Sequence, residues 1–220
     1  MKEILDENQI FLIDKPAGMS SFGVVAKVRG WMKAKFGHKV KVGHTGTLDP
    51  FATGLLIVLT GKMTKRSEEF LKKDKVYIAT MRLGATSTTG DPEGELTKRS
   101  ERVPTLDEVK EAARKFTGKI RQKVPQFSAV KINGERAYKL ARAGKEFTTP
   151  TREVEVYSLE VLGYDYPEVR ISCHVSSGTY IRTLAEDIGE ALGVGAYLTE
   201  LRRTQIAGYK VEEAMELGEL

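Results

Sequence analysis

In the segment GHTGTLDPFATG, residues 43 to 54, one carboxylate, Asp49, sits among glycines, threonines and Pro50. Ordering such a loop costs conformational entropy, so a carboxylate fixed within it is a candidate nucleophile or general base. Gly43, Gly46 and Gly54 permit positive backbone angles and close approach of another molecule. Pro50 biases Asp49 towards extended backbone and away from a helix. Thr45 and Thr47 carry hydroxyls able to fix the turn. The plainer alternative is an Asx-turn in which Asp49 serves only the loop, and an isolated Asp-Pro pair favours that alternative.

Other chemistries fit less well. Gly61-Lys62-Met63 lacks the hydroxyl residue and the preceding glycine spacing of a phosphate-binding Walker loop. His38, His44 and His174 are the only histidines, and no spacing sets them beside carboxylates as metal ligands. The acids of TSTTGDPEGELT do not have calcium-loop spacing. Cys173 is the single cysteine, which excludes an internal disulfide and any CxxC metal site. It lies in the alternating run VRISCHVSS and reads as a strand residue in a reducing, cytoplasmic setting.

Charge gives a modest pointer to a partner. The 35 basic and 30 acidic residues leave a net charge of +5, weak evidence for a polyanion. The distribution says more, since residues 26 to 41, AKVRGWMKAKFGHKVK, hold no acid. Early acids and a short apolar run at the N-terminus argue against a signal peptide, and no stretch approaches the length of a membrane span.

The elements that must position Asp49 follow from periodicity. QIFLIDK reads as a strand entering a turn at Asp14 to Gly18. Ser20 or Ser21 is placed to cap a helix through FGVVAKVRGWMKAKF, with Val24, Val25, Val28 and Trp31 on its apolar side. LLIVLT is a fully buried strand, and KVYIATMRLG a second one with Tyr77, Ala79 and Met81 on one face. TSTTGDPEGELT is a loop turning at Asp91 to Gly94. Thr105 caps the helix LDEVKEAARKF, with Gly118 just past its end. REVEVYSLEVLGY and EVRISCHVSS read as a hairpin, or at least as neighbouring strands. GTYIRTLAEDIGEALG turns into a helix with Leu184, Ile188 and Leu192 as its stripe. Strand pairs mixed with scattered helices predict an α+β fold with a mixed, largely antiparallel sheet flanked by helices.

GHTGTLDPFATG resembles the signature loop of the TruB family of tRNA pseudouridine synthases. DKPAGMSS, KVYIATMRLG, TTGDPEG, FSAVKINGERAYKLAR, GTYIRTLAEDIGEALG and LTELRRTQIAG resemble further family segments, in the family's order, over nearly all of residues 10 to 209. The resemblance implies the pseudouridine synthase catalytic fold and isomerisation of the uridine at position 55 in the tRNA T loop. It implies Asp49 as the essential carboxylate, with its point of attack open between the base ring, C1′ and a ribose proton. Arg182 would be the partner of Asp49, and Tyr77 would stack on the flipped uracil and help remove the C5 proton. Leu201 would line the apolar side of the pocket, and His44 would fill space left by flipped nucleotides. Lys15, Lys65, Arg202, Arg203 and the run from Lys27 to Lys41 would be phosphate contacts for a T-arm stem-loop. No cofactor and no metal are implied, nor an obligatory protein partner; the chain would act as a monomer.

The chain departs from the family in two places. VPQFSA, residues 124 to 129, stands where PPxYSA is common, which loosens a turn and removes a phenol at Phe127. Family members commonly continue into a small RNA-binding PUA domain, whereas this sequence stops at VEEAMELGEL, so residues 1 to 220 read as one catalytic domain without it. A non-catalytic RNA-binding protein would not need Asp49, Tyr77 and Arg182 together. A glycosidase would want a second opposed carboxylate, and no other acid has a comparable loop.

Overall fold

The computed structural model describes residues 6–220. Contacts divide the chain into two compact units, one running up to Tyr77 and resuming at Leu201–Leu220, the other Ile78–Glu200.

The first unit opens with strand β1 (Ile10–Lys15), helix α1 (Ser21–Phe36), strand β2 (Val42–His44) and strand β3 (Thr53–Thr60). β1 and β2 both pair antiparallel with β3. Side chains alternate across a strand, and both faces of this sheet are covered. Phe11, Ile13, Leu56 and Val58 pack with Val24, Val25, Val28 and Met32 of α1 on one side. Leu55, Ile57 and Leu59 pack with Phe70, Ile206 and Val211 on the other. Burial on both faces is why LLIVLT reads as an unbroken apolar run. Ser20 caps α1 by accepting the Gly23 N–H at 3.0 Å. Trp31, expected in the buried stripe, is only half-buried; Met32 takes that place, while the indole sits edge-on to Phe11 under the Lys35 ammonium. A turn (Gly61–Arg66) and the short helix α2 (Ser67–Leu71) lead into strand β4 (Lys75–Leu83), which supplies residues to both units.

The second unit continues with β5 (Ala85–Ser87) and β6 (Leu96–Lys98), a small hairpin inside the segment expected to be loop alone, turning at Asp91 to Gly94. Helix α3 (Leu106–Arg114) starts on a capping box between Thr105 and Glu108. It ends short of the expected Gly118, because the Phe116 and Thr117 N–H groups close the last turn on Ala113 and Arg114. Gly118 instead opens strand β7 (Gly118–Lys123) at φ 95°. The two-residue strands β8 (Lys131–Ile132) and β9 (Glu135–Arg136) precede helix α4 (Ala137–Arg142). Strands β10 (Thr151–Asp165) and β11 (Glu168–Val175) form the expected antiparallel hairpin, with β7 on the other edge of β10. Cys173 is fully buried on β11. Helix α5 (Ile181–Ala191) buries Leu184 and Ile188.

Strand β12 (Ala196–Ile206) also supplies both units and returns the chain to the first. There it runs parallel to β3, followed by β13 (Tyr209–Lys210), antiparallel to it, and β14 (Met215–Glu216), parallel to β1. The fold is therefore α+β, with mixed and largely antiparallel strands flanked by helices. No described helix is long and apolar enough to cross a membrane.

Gly54 shows how close the return of β12 is. Its φ is 101°, and an added Cβ would lie 2.3 Å from the Arg203 carbonyl oxygen. Backbone cannot yield there as a flexible side chain would. Gly54→Ala is expected to lower unfolding free energy by about 3 kcal/mol or more, read by urea denaturation.

Candidate active site

Asp49 lies in the loop between β2 and β3 and is part-exposed. Its backbone is held from both sides. On one side the buried Ser21 hydroxyl accepts the Leu48 N–H at 2.8 Å and donates to the Leu48 carbonyl at 2.9 Å. On the other, the Pro50 carbonyl accepts the Gly18 N–H at 2.9 Å and the Lys15 ammonium at 3.3 Å. The Asp49 carbonyl itself accepts the Ala52 N–H at 3.1 Å. Thr45 is fully buried and its N–H donates to Ile57, whereas Thr47 is exposed. A short polar residue thus sits on a loop whose main chain has little freedom, the mounting a reacting group requires.

Two of the expected phosphate contacts have other work. Lys15 is fully buried and donates to the carbonyls of Pro16 at 2.8 Å and Met19 at 2.6 Å as well as to Pro50. Arg203 is 1% exposed, its Nε donating to Leu55 and its Nη2 to Gly46. Both cations are themselves buried and committed to main-chain carbonyls, so neither is presented to a polyanion. Arg202 is more open but holds Asp14 in a two-pronged pair, at 3.0 and 2.6 Å. Lys65 is exposed on the turn after β3.

His44 ends β2. Burial, helped by the Arg203 charge, lowers its pKa from 6.5. Its Nδ1 accepts the Gly46 N–H at 3.3 Å, so the ring is neutral with its proton on Nε2. Tyr77, 8% exposed, lies on β4, and Leu201, 7% exposed, lies on β12. The strands carrying them are joined in the first unit by the Thr204 hydroxyl donating to the Val76 carbonyl. Lys75, two residues before Tyr77, is pushed down to about 8 by burial and by Arg203. Its ammonium binds carbonyls of Leu71 and Lys73 at the end of α2, a structural use.

Arg182 belongs to the second unit, in the first turn of α5, and is 5% exposed. It donates to the Thr89 carbonyl at 2.7 Å and the Phe127 carbonyl at 2.8 Å, and faces Asp91 Oδ2 at 3.3 Å. Asp91 Oδ1 in turn accepts the Thr89 hydroxyl at 2.5 Å and the Glu93 N–H at 3.1 Å. Gln122 fixes the entry to α5, its amide exchanging two hydrogen bonds with the Tyr180 main chain at 3.0 and 2.8 Å. Sequence reasoning read Asp91 only as a turn residue and passed over Ser21 as a clamp and Gln122. The signal for Asp91 was present, since an Asp-Pro-x-Gly turn in a matched segment invites a partner. Gln122 gave none. Among the described residues no group of three or more His, Cys, Asp and Glu could hold a metal ion.

Glu186, one helical turn after Arg182, lies against Gly90, where an added Cβ would be 2.7 Å from its Oε1. Burial raises its pKa from 4.5 to about 7, opposed by Arg182 and reinforced by Asp187 and Asp91. A carboxyl whose folded pKa is raised binds its proton more tightly when folded, so its contribution is most favourable below 4.5 and is lost as pH rises towards 7. Glu186→Gln is expected to remove this decline, on the order of 2 kcal/mol, in urea denaturation compared at acidic and mildly alkaline pH.

Comparison with known proteins identifies the family of the chain as a whole. A family model described as TruB family pseudouridylate synthase (N terminal domain) matches residues 33–181, and one described as tRNA pseudouridylate synthase B C-terminal domain matches residues 182–220. A protein named tRNA pseudouridine synthase B from Phocaeicola vulgatus is 45% identical, over 96% of this chain and 91% of its own length. Its namesake from Chloroherpeton thalassium is 44% identical over 99% and 90%, and that from Thermobifida fusca 47% over 96% and 73%. Among solved structures, a chain of a Cbf5–Nop10–Gar1 complex matches with TM-score 0.71 and 33% identity, covering 97% of this chain and 53% of that one. A chain of an H/ACA RNP bound to a substrate RNA containing 2′-deoxyuridine matches with TM-score 0.69 and 31% identity, over 97% and 52%. The chain spans about half the length of these two solved chains.

Proposed function

Since the chain belongs to the TruB family of pseudouridine synthases, we propose that Asp49 is its catalytic carboxylate and the uridine at position 55 of the tRNA T loop its target. The protein is an isomerase that converts uridine in tRNA to pseudouridine. In that conversion the N1–C1′ bond breaks, the uracil turns, and C5 bonds to C1′. C5 loses a proton and N1 gains one. Atoms balance within the nucleoside, so the reaction calls for no oxidant, reductant or group donor.

The observation that carries the reading is the two-sided restraint on Asp49. A carboxylate that must meet a reacting sugar or base gains most from being held in place beforehand, because positioning alone accounts for much of a rate enhancement. Leu48 and Pro50 provide that hold. The neutral His44 ring, set on the same loop, is read as the group that takes up space beside the target nucleotide. Tyr77, an aromatic ring on a rigid strand, is read as the stacking partner of the extruded uracil. Arg182 completes the catalytic set on the family match, kept in one conformation by Thr89, Phe127 and Asp91. Leu201 supplies apolar lining, and Lys65 and Arg202 are read as contacts to the RNA backbone. Residues 1 to 220 are taken as one catalytic domain, working as a monomer in the cytoplasm.

An unmodified tRNA transcript tritiated at uracil C5 tests this directly. Asp49→Asn is expected to reduce tritium release by about 10³-fold or more while RNA binding persists. Pseudouridine at one T-loop position in the wild-type product supports the site; uracil set free in solution would point to a hydrolase instead. Ser21→Ala leaves the buried N–H and C=O of Leu48 without their partner. It is expected to lower kcat by about 10²-fold with little change in KM, measured in the same assay.

A further inference from the structure

The outer face of α1 carries part of the basic run from Lys27 to Lys41 and, at its start, an aromatic ring to which no role has been given. The inner side of the helix, Val24, Val25, Val28 and Met32, is committed to the core. The outer side begins with Phe22, 66% exposed, one residue after the Ser21 clamp. Ala26, Arg29 and Lys33 follow it at helical spacing and share its face, with Gly30 beside them. All are exposed, and nothing lies within 4 Å of where a Cβ on Gly30 would be, so the strip between the cations is low and open. Helix α1 contains four cations and no acid, Lys27, Arg29, Lys33 and Lys35.

This face is tied to both sides of the Asp49 loop. The Arg29 guanidinium sits 5.8 Å from the centroid of the Phe22 ring, steadying it. The same guanidinium donates to the Val42 carbonyl at 3.3 Å, two residues before His44. Ser21, next to Phe22, holds Leu48. An exposed aromatic ring with cations beside it is a platform for a nucleobase flanked by phosphates. A lipid surface would ask for a broad apolar face, and this one offers a single large apolar side chain.

We propose that the outer face of α1 binds the substrate RNA, with Phe22 stacking on an unpaired base and Arg29 and Lys33 meeting the flanking phosphates. The proposal rests on the reading of the chain as a tRNA pseudouridine synthase. The test is fluorescence titration of an unmodified tRNA transcript with the wild-type chain, Phe22→Ala, Phe22→Trp and the double variant Arg29→Gln/Lys33→Gln, over a range of salt. Phe22→Ala is expected to weaken binding about tenfold and to raise KM in step, with kcat changing less than about twofold. Phe22→Trp restores affinity, which a purely structural role for the ring would not require. The double charge variant reduces the slope of log affinity against log salt by about 1.5.

Equal affinities of wild type and Phe22→Ala at every salt concentration would overturn the proposal. So would loss of binding to anionic phospholipid vesicles, in Phe22→Ala, with RNA affinity intact, which would make the face a membrane contact. Should Phe22→Ala fold poorly, ultraviolet crosslinking of the wild-type chain to 5-iodouridine-substituted tRNA decides. A nucleotide joined within residues 22 to 33 supports the surface, and crosslinks elsewhere alone refute it. RNA bound by the wild type without turnover counts against the catalytic reading and leaves the surface standing.

Discussion

Two backbone positions, Leu48 and Pro50, are fastened by groups outside their own loop, and the carboxylate between them has its place decided by those fastenings. The Ser21 hydroxyl serves Leu48 as donor and acceptor at once. Gly18 and Lys15 meet the Pro50 carbonyl from the turn after β1. A glycine-rich loop would otherwise spread over many conformations, and ordering it needs bonds of this kind from rigid neighbours. Helix α1 and strand β1 can supply them because they are themselves locked by the Val24, Val28, Phe11 and Ile13 core. Apolar packing, far from any reacting atom, is thus what gives Asp49 its position.

Electrostatics follows the same division of labour. Buried cations here mostly neutralise carbonyls rather than face solvent: Lys15 and Arg203 hold loop ends, and Lys75 closes α2. Such groups are costly to bury and are retained only with their hydrogen bonds filled. Arg182 differs in having a carboxylate opposite, Asp91, and nearby a carboxyl, Glu186, that burial raises to about 7. A protonated Glu186 spares that cluster an additional negative charge, so the Arg182 guanidinium retains more of its own field.

Much of this was legible in the residues. The buried central strand, the Ser20 and Thr105 caps, the β10–β11 hairpin and the α5 stripe follow from period and capping chemistry. Asp49 stood out because its loop is conformationally demanding. Lys15 and Arg203 were misread because a cation in a polyanion-binding protein invites a phosphate, and residue type carries no information on burial. Asp91, Ser21 and Gln122 act through partners more than 25 residues away, and such pairings are set by tertiary packing, which local pattern does not encode. The early end of α3 is a matter of how the final turn closes, a detail worth one or two residues in any helix.

Arg203 and Leu55 are bonded across 148 positions, and Arg202 and Asp14 across 188. A ribosome releases β1, α1 and β3 long before β12 exists. Until then Gly46 and Leu55 lack the guanidinium that bridges them, and β3 lacks its partner at Thr53 and Gly54. The Gly46 end of the loop bearing Asp49 consequently gains its last brace late in biosynthesis, after the whole intervening unit has been translated. A nascent chain stalled before β12 would carry every residue of the loop, with Leu48 and Pro50 fastened, and still lack the brace at Gly46.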